Sequence, residues 1–439
     1  MKSVLVIGSA RSGCAISELL IEKGFDVILT DIKEIANKEK LEKKGVKVYD
    51  QGHPEFLKNS NYEFIVKNPG IPYTVAFVDY FVKQGIKIYT EIEVASWYAN
   101  KFWYGAITGT NGKTTTVSIL YALLKNHGNA YVAGNIGIPL SEVVLKHGDE
   151  KATIALELSN FQLLGIETLK PKVSVVTNLA PDHLDYMKDL DAYYNSKMKI
   201  YKNTDKTDYF LRNIDDVEVM KYAQNIPCTI IDYSLKQKAD LYLKDTLVYY
   251  KDVCLFDTKL LQLVGNHNIA NSMVAACMAY LLGVSQKEIQ VGLHAFTSVE
   301  HRLEYVGEKA GVRFFNDSKA TNAQAVVPAL EAFDKNIILL AGGYDKHLSF
   351  DILKQFDERI KCCLTFGETK EKFKNIFHHV IELDTMKEAF NKAIEIAKPK
   401  DVILLSPACA SYDQFISYEE RGKRFKEYVY SYINGGESL

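Results

Sequence analysis

Short apolar runs alternate along this chain with longer stretches of helical periodicity. Val4–Ile7 reads as a buried strand, Ala15–Lys23 as a helix, and Val27–Thr30 as a second strand ending at Asp31. Lys47–Tyr49, Phe64–Val66 and Lys87–Tyr89 continue the strands. This βαβ rhythm predicts a parallel sheet with helices on its faces. A second α/β unit starts near Lys101, with strands at Trp103–Ile107, Ala130–Val132, Thr153–Leu156, Val173–Val176 and Tyr209–Leu211 and a helix from Val117 to Leu124. Charged and apolar residues alternate over Asp240–Leu263, predicting strands or hairpins, and Asn268–Leu282 predicts a helix. A third unit starts near Ser298, with strands at Val312–Asn316, Ile337–Ala341, Cys362–Phe366 and Val402–Ser406 and a helix at Met386–Ala397. No low-complexity linker or internal repeat interrupts the series, so three α/β domains in series are expected.

The strands end in polar loops, and carboxyl ends of parallel strands are where such sheets bind ligands. The most specific loop is Ile107-Thr-Gly-Thr-Asn-Gly-Lys-Thr-Thr115. Its glycines, Gly109 and Gly112, allow backbone N–H groups to turn around phosphate oxygens, and the following helix adds a positive dipole end. Lys113 is placed to reach the β- and γ-phosphates and Thr114 to ligate Mg²⁺. The strict pattern asks for Gly at position 107, where this chain has Ile. Glu157, at the end of the next predicted strand pair, suits a Mg²⁺ ligand. Asn178, Asp182, His183 and Asp185 form a ligand-like cluster after Val173–Val176, with His183 the candidate for a second cation. Lys197 and Lys199 follow on a helix, and sequence alone does not choose between them.

Asn268 and Asn271 share a helix face and carry amides able to read an adenine edge. Arg302 suits a γ-phosphate clamp. Asn316-Asp-Ser-Lys-Ala-Thr-Asn322, Gly342-Gly-Tyr-Asp-Lys346 and Ser406-Pro-Ala-Cys-Ala-Ser-Tyr-Asp-Gln-Phe415 add three further polar loops. The N-terminal Gly8-Ser-Ala-Arg-Ser-Gly13 has Ala10 where a dinucleotide fingerprint places its middle glycine. A different diphosphate, met by Arg11 and Ser12, fits better than NAD.

Composition narrows the field. A chain of 439 residues suggests two to four domains, and 47% hydrophobic with 25% charged residues is that of a soluble globular protein. A net charge of −2 gives no footprint for nucleic acid or an anionic membrane. No apolar run approaches the ~18 residues of a membrane helix. Seven cysteines without a C-x-x-C pair fit a reducing compartment. Arg11 interrupts the N-terminal apolar run too early for a signal peptide, so a cytoplasmic protein is expected.

Taken together, the T-G-T-N-G-K-T-T loop, Glu157-Leu-Ser159, the Asn178–Asp185 cluster, G-N-H-N-x-x-N, His301-Arg302-Leu-Glu304 and Asp317-Ser-Lys-Ala-Thr-Asn322 occur in the order found in the Mur ligase family of ATP-dependent peptidoglycan enzymes, and the chain resembles that family over essentially its whole length. N-D-S-K-A-T-N and S-P-A-C-A-S-Y-D-Q-F are similar to the branch that adds D-glutamate. The resemblance implies a Rossmann-like UDP-substrate domain over 1–99. It implies a central P-loop ATPase domain with a parallel sheet over 100–298, and a Rossmann-like α/β amino-acid-binding domain over 299–439. It implies ATP and two Mg²⁺ ions as cofactors, UDP-N-acetylmuramoyl-L-alanine and D-glutamate as substrates, an acyl-phosphate intermediate, and a monomer with no nucleic-acid or membrane partner.

Residue by residue, the resemblance assigns Gly109, Thr110, Asn111, Gly112, Lys113, Thr114 and Thr115 to ATP phosphates. Asn268 and Asn271 are assigned to adenine, Asp317 to ribose and Arg302 to phosphate. Thr114 and Glu157 would hold one metal, and His183 with a carbamylated Lys197 the other, so the resemblance selects Lys197 over Lys199. Lys319, Thr321, Lys346, Ser411 and Tyr418 match D-glutamate positions, with Lys113, His183, Lys197 and Lys319 as the catalytic set. Arg11, Ser12, Asp31 and Asn135 match the UDP-substrate. Folylpolyglutamate synthase shares the phosphate loop but not a domain like residues 1–100. A dehydrogenase, or a slow nucleotide-gated switch, leaves most of these loops without work.

Overall fold

The computed structural model describes residues 2–182, 187–263, 265–297 and 300–435. Three sheets organise the chain. The first contains β1 (Ser3–Ile7), β2 (Asp26–Thr30), β3 (Lys47–Tyr49), β4 (Phe64–Lys67) and β5 (Ile88–Tyr89), all parallel in the order β3-β2-β1-β4-β5. The second contains β6 (Phe102–Thr108), β7 (Ala130–Gly134), β8 (Ala152–Glu157), β9 (Val173–Val176), β10 (Tyr209–Asn213), β11 (Thr229–Ser234), β12 (Leu241–Lys244), β13 (Leu247–Tyr250) and β14 (Val253–Asp257). Its order is β14-β13-β12-β11-β10-β9-β6-β8-β7. Only β12-β13-β14 is antiparallel. The third contains β15 (Glu304–Lys309), β16 (Val312–Asn316), β17 (Ile337–Gly342), β18 (Ile360–Phe366), β19 (Val380–Glu382) and β20 (Val402–Leu405), in the order β15-β16-β20-β17-β18-β19. β15 is its antiparallel edge.

The chain divides into two compact units: Met1–Leu260 with Ala270–Ala295, and Leu261–Ile269 with Phe296–Leu439. The first unit holds two sheets because one apolar core runs from Val4 and Ile16 through Ile92 and Ala95 to Leu140, Val143 and Phe210. The short helix Glu91–Ser96 is the junction. Glu93 is wholly buried and accepts from the backbone N–H of Thr168 (2.8 Å) and Leu169 (3.1 Å). Glu91 accepts from Ser141 N at 2.5 Å, in the first turn of the helix Leu140–His147.

Burial raises the Glu91 carboxyl to about 7 against the Ser141 hydrogen bonds, and burial likewise raises Asp317 to about 7. An unfolded carboxyl releases its proton near ~4. Between ~4 and about 7 the folded chain therefore holds protons that the unfolded chain lacks, and these groups make stability fall as pH rises across that window, levelling off above it. Glu91→Gln should flatten this slope. Unfolding midpoints of wild type and variant from pH 4 to 8 check it, and parallel curves would refute it.

The strand readings fall on strands of the structure, with ends displaced by a residue or two. β11, β15 and β19 fall outside the predicted strands. The helix expected from Val117 starts at Lys113. Its first turn, Lys-Thr-Thr-Thr, carries no apolar residue to signal a helix, yet Thr114, Thr115 and Thr116 are buried. Asp240–Leu263 resolves into β12–β14 and a short 3₁₀ turn.

Candidate active site

Parallel register places the ends of β6, β8 and β9 side by side: Ile107 pairs with Glu157, and Thr108 with Val176. The phosphate-loop candidate leaves β6 at that edge. Gly109 (φ 139°) and Gly112 (φ 82°) both need the left-handed region. A Cβ on Gly109 would lie 2.0 Å from Thr177 Oγ1, and one on Gly112 2.6 Å from Asn271 Oδ1, so the loop tolerates no side chain at either position. The loop is braced from the neighbouring β9 end. Asn111 N donates to Asn178 Oδ1 (2.9 Å), Thr177 Oγ1 to Asn111 O (2.6 Å), and Thr110 N to Asn178 O (2.9 Å). Asn178 thus holds the loop's shape. Lys113 Nζ donates to Gly109 O (2.9 Å) and Thr110 O (2.7 Å), folding over the loop that it would complete around a phosphate. Asn271 accepts from Thr116 Oγ1 at 3.2 Å, so this amide touches the phosphate-loop helix.

Glu157 is 1% exposed. Its Oε1 accepts from Asn135 Nδ2 at 2.8 Å, and its Oε2 is buried with no hydrogen-bond partner. A buried carboxylate oxygen left open on the strand paired with Ile107, where the phosphate-loop candidate begins, fits a divalent cation. Lys197 is equally buried; its Nζ donates to Gly109 O (2.8 Å) and sits 4.6 Å from the Tyr193 ring centroid. Burial, then the nearby Lys113 ammonium, drives the Lys197 amine well below the usual lysine range against the pull of Asp182. Lys199 instead donates to Leu164 O at 3.1 Å. His183 and Asp185 lie outside the described residues. Among the described residues no cluster of three His, Cys, Asp or Glu forms a ready metal cage.

In the N-terminal sheet, Asp31 Oδ2 accepts from Ser9 N (2.6 Å) and Ser9 Oγ (2.7 Å), and Oδ1 from Lys33 N (3.0 Å). Burial raises this carboxyl, but the Lys33 and Ser9 hydrogen bonds outweigh it and leave the pKa below the ordinary value. Asp31 therefore clasps the Gly8–Gly13 loop. Arg11 Nη1 donates to Gly137 O at 2.8 Å, next to Asn135, so Arg11 and the Gly134–Gly137 turn meet within the first unit. Ser12 Oγ accepts from Asn68 Nδ2 at 3.4 Å.

In the second unit the order β16-β20-β17 brings three polar loops to one edge. Asp317 accepts from Ser406 Oγ (2.6 Å) and Leu303 N (3.1 Å). The nearby Arg302 guanidinium pulls this carboxyl's pKa down against its burial, and Arg302 Nε is buried without a hydrogen-bond partner. Asn268 is buried in the first turn of the helix Asn266–Leu281, close to His267, whose pKa is depressed by burial and by Arg302. Lys319 Nζ stands 5.8 Å from the Tyr418 ring. Burial raises Tyr418 to about 12, so it stays a neutral phenol. Ser411 is buried, Thr321 half-buried and Lys346 exposed on its loop. Sequence reasoning missed Arg421. It is 0% exposed and donates to Ser318 Oγ (3.0 Å), Ser318 O (2.9 Å), Cys409 O (3.0 Å) and Ala410 O (3.2 Å), tying two of these loops together. It shares the buried face of the helix Tyr418–Ile433 with Phe425 and Val429, and that i, i+4, i+8 spacing is the signal that could have found it.

The Mur ligase middle domain matches residues 107–279, and the Mur ligase glutamate ligase domain matches residues 301–409. The UDP-N-acetylmuramoylalanine–D-glutamate ligase of Staphylococcus aureus (strains JH9 and Newman) is 40% identical over 437 residues, covering 97% of this chain and 96% of the relative. The chain belongs to the Mur ligase family. Solved Mur ligases share the fold at low identity. UDP-N-acetylmuramate-alanine ligase MurC from Thermotoga maritima superposes with TM-score 0.59 at 18% identity, covering 98% and 100% of the two chains. The MurF ligase of Thermotoga maritima, solved in complex with ADP, gives 0.57 at 17%, covering 87% and 92%. Both Mur ligase matches fall on the loops built above: the first contains the phosphate loop, Glu157 and Lys197, the second Arg302, Asp317 and Lys319.

Proposed function

We propose that this Mur ligase joins D-glutamate to the alanyl carboxylate of UDP-N-acetylmuramoyl-L-alanine at the expense of ATP, in the cytoplasmic assembly of peptidoglycan precursors. The observation that carries the reading is the near full-length likeness to the S. aureus D-glutamate ligase. In support, the phosphate loop has the backbone geometry its motif requires. No described helix is long and apolar enough to cross a membrane. The three sheets suggest three binding roles, with 1–99 for the UDP-sugar, 100–298 for ATP and 299–439 for the amino acid, in a chain acting as a monomer.

A carboxylate is a poor acyl donor because its oxygen is costly to expel. Transfer of the γ-phosphoryl of ATP to that oxygen gives an acyl phosphate. The D-glutamate amine then attacks the carbonyl carbon, a tetrahedral intermediate forms, and inorganic phosphate leaves as the amine loses its proton. Loop amides from Gly109 to Thr115 surround the phosphates, and Lys113 neutralises charge gathering on the transferring group. By the family resemblance, Arg302 would meet phosphate, Asp317 ribose, and Asn268 and Asn271 adenine. Thr114 and Glu157 would hold one Mg²⁺, and His183 with Lys197 a second; such ions supply positive charge to the phosphoryl oxygens. The depressed Lys197 amine supports its carbamylation, since CO₂ adds to the neutral amine with loss of one proton. Lys319, Thr321, Lys346, Ser411 and Tyr418 receive D-glutamate, and Arg11, Ser12, Asp31 and Asn135 the UDP-sugar. Asp31 and Asn135 act there by shaping loops, given their hydrogen bonds to Ser9 and Glu157.

Phosphate release from ATP with UDP-N-acetylmuramoyl-L-alanine tests this. It should require D-glutamate and yield a UDP-linked product heavier by one glutamyl residue. Release with another amino acid would keep the ligase chemistry and overturn the acceptor. Release indifferent to both substrates would overturn the ligase.

A further inference from the structure

Lys67 ends β4, pairs with Ile7 of β1, and is 0% exposed. Burying an ammonium is costly unless it is well satisfied. Its Nζ donates to the carbonyls of Asn68 (3.1 Å), Pro69 (3.4 Å) and Ile71 (2.5 Å) and lies 4.5 Å from the Tyr73 ring centroid. Burial lowers its pKa to about 8. One lysine thus gathers three carbonyls of a single loop and an aromatic face. That loop lies against the N-terminal glycine loop. Asn68 N donates to Ile7 O at 2.8 Å, and Asn68 Nδ2 to Ser12 Oγ at 3.4 Å. Asn68 Oδ1 accepts from Gly70 N at 3.1 Å. A Cβ on Gly8 would come within 2.7 Å of Asn68 Cβ. The two loops are therefore shaped by one another, and a filler side chain at position 67 would leave three carbonyls competing for donors.

We propose that Lys67 is a positioning residue for the nucleotide-sugar substrate: it holds residues 68–71 in the conformation that buttresses Gly8–Gly13, and so sets affinity for the UDP end without touching the reacting atoms. This rests on the function proposed above. Steady-state kinetics of Lys67→Met, with each substrate varied in turn, tests it. KM for UDP-N-acetylmuramoyl-L-alanine should rise about tenfold or more, while kcat and KM for ATP stay within about twofold of wild type. Lys67→Gln, which keeps an amide donor without the charge, should show the same split with a smaller rise, and stands in if the Met variant does not fold. An unchanged KM for the UDP-substrate, or parallel shifts in all three constants, would overturn the role of Lys67. Wild-type turnover indifferent to the UDP-substrate would overturn the parent reading instead.

Discussion

Lys113→Met should lower kcat/KM for ATP-dependent amide formation by about 10³-fold, roughly 4 kcal/mol of transition-state stabilisation. The loop's geometry has supports other than this ammonium. Gly109 and Gly112 are held by the close approach of Thr177 and Asn271, and Asn111 by Asn178. Lys113 instead rests on Gly109 O and Thr110 O, carbonyls that a phosphate-bound lysine can release at modest cost. Its removal therefore deletes charge from the reaction with little effect on the fold. The check is initial-rate kinetics beside a thermal unfolding curve: a large kinetic loss with a nearly unchanged midpoint is expected. A variant retaining more than about a tenth of wild-type kcat/KM would remove Lys113 from the phosphoryl transfer.

Arg421→Met should destabilise the second unit by about 3–5 kcal/mol. The guanidinium is wholly buried, and its hydrogen bonds all end on neutral oxygens of Ser318, Cys409 and Ala410. Burial lowers it to about 10, against the pull of Cys409, Asp413 and Asp317, and it stays charged at neutral pH. Methionine would fill part of the volume and leave the carbonyls of Ser318, Cys409 and Ala410 without this donor. Denaturant titration should show a lower midpoint for the transition that reports on the second unit. Lys319 and Ser411 lie next to the loop residues that Arg421 ties, so D-glutamate binding should weaken in the fraction that remains folded. An unchanged midpoint would mean that water replaces the guanidinium, and the brace would lose its structural role.

Much of the site was legible because its residue types are forced locally. A phosphate loop needs glycine at positive φ and a lysine at the helix start, and those demands are written in consecutive residues whatever the rest of the fold does. Val4–Ile7, Val173–Val176 and Val402–Ser406 announced buried parallel strands because both faces of such strands are covered and the apolar run is nearly continuous. β15, an edge strand with charged residues at Glu304, Glu308 and Lys309, carries no such run. The first helical turn after Gly112 was hidden because the threonines there are buried as packing and hydrogen-bonding groups, not as an apolar stripe.

The sequence by itself determined the α/β class, the order of polar loops after strands, and the glycine-and-lysine loop that follows β6. Each of these follows from local geometry or from residues close in the chain. The tertiary structure decided what long-range pairing alone can decide. It put Asn178 under the phosphate loop across 67 positions of chain, left one oxygen of Glu157 open while Asn135 took the other, and pressed the Lys197 amine against Gly109 O. It made buried braces of Lys67 and Arg421, two cations that the sequence analysis did not single out. A charged side chain is ordinarily exposed, and only the fold can supply the converging carbonyls that make its burial tolerable.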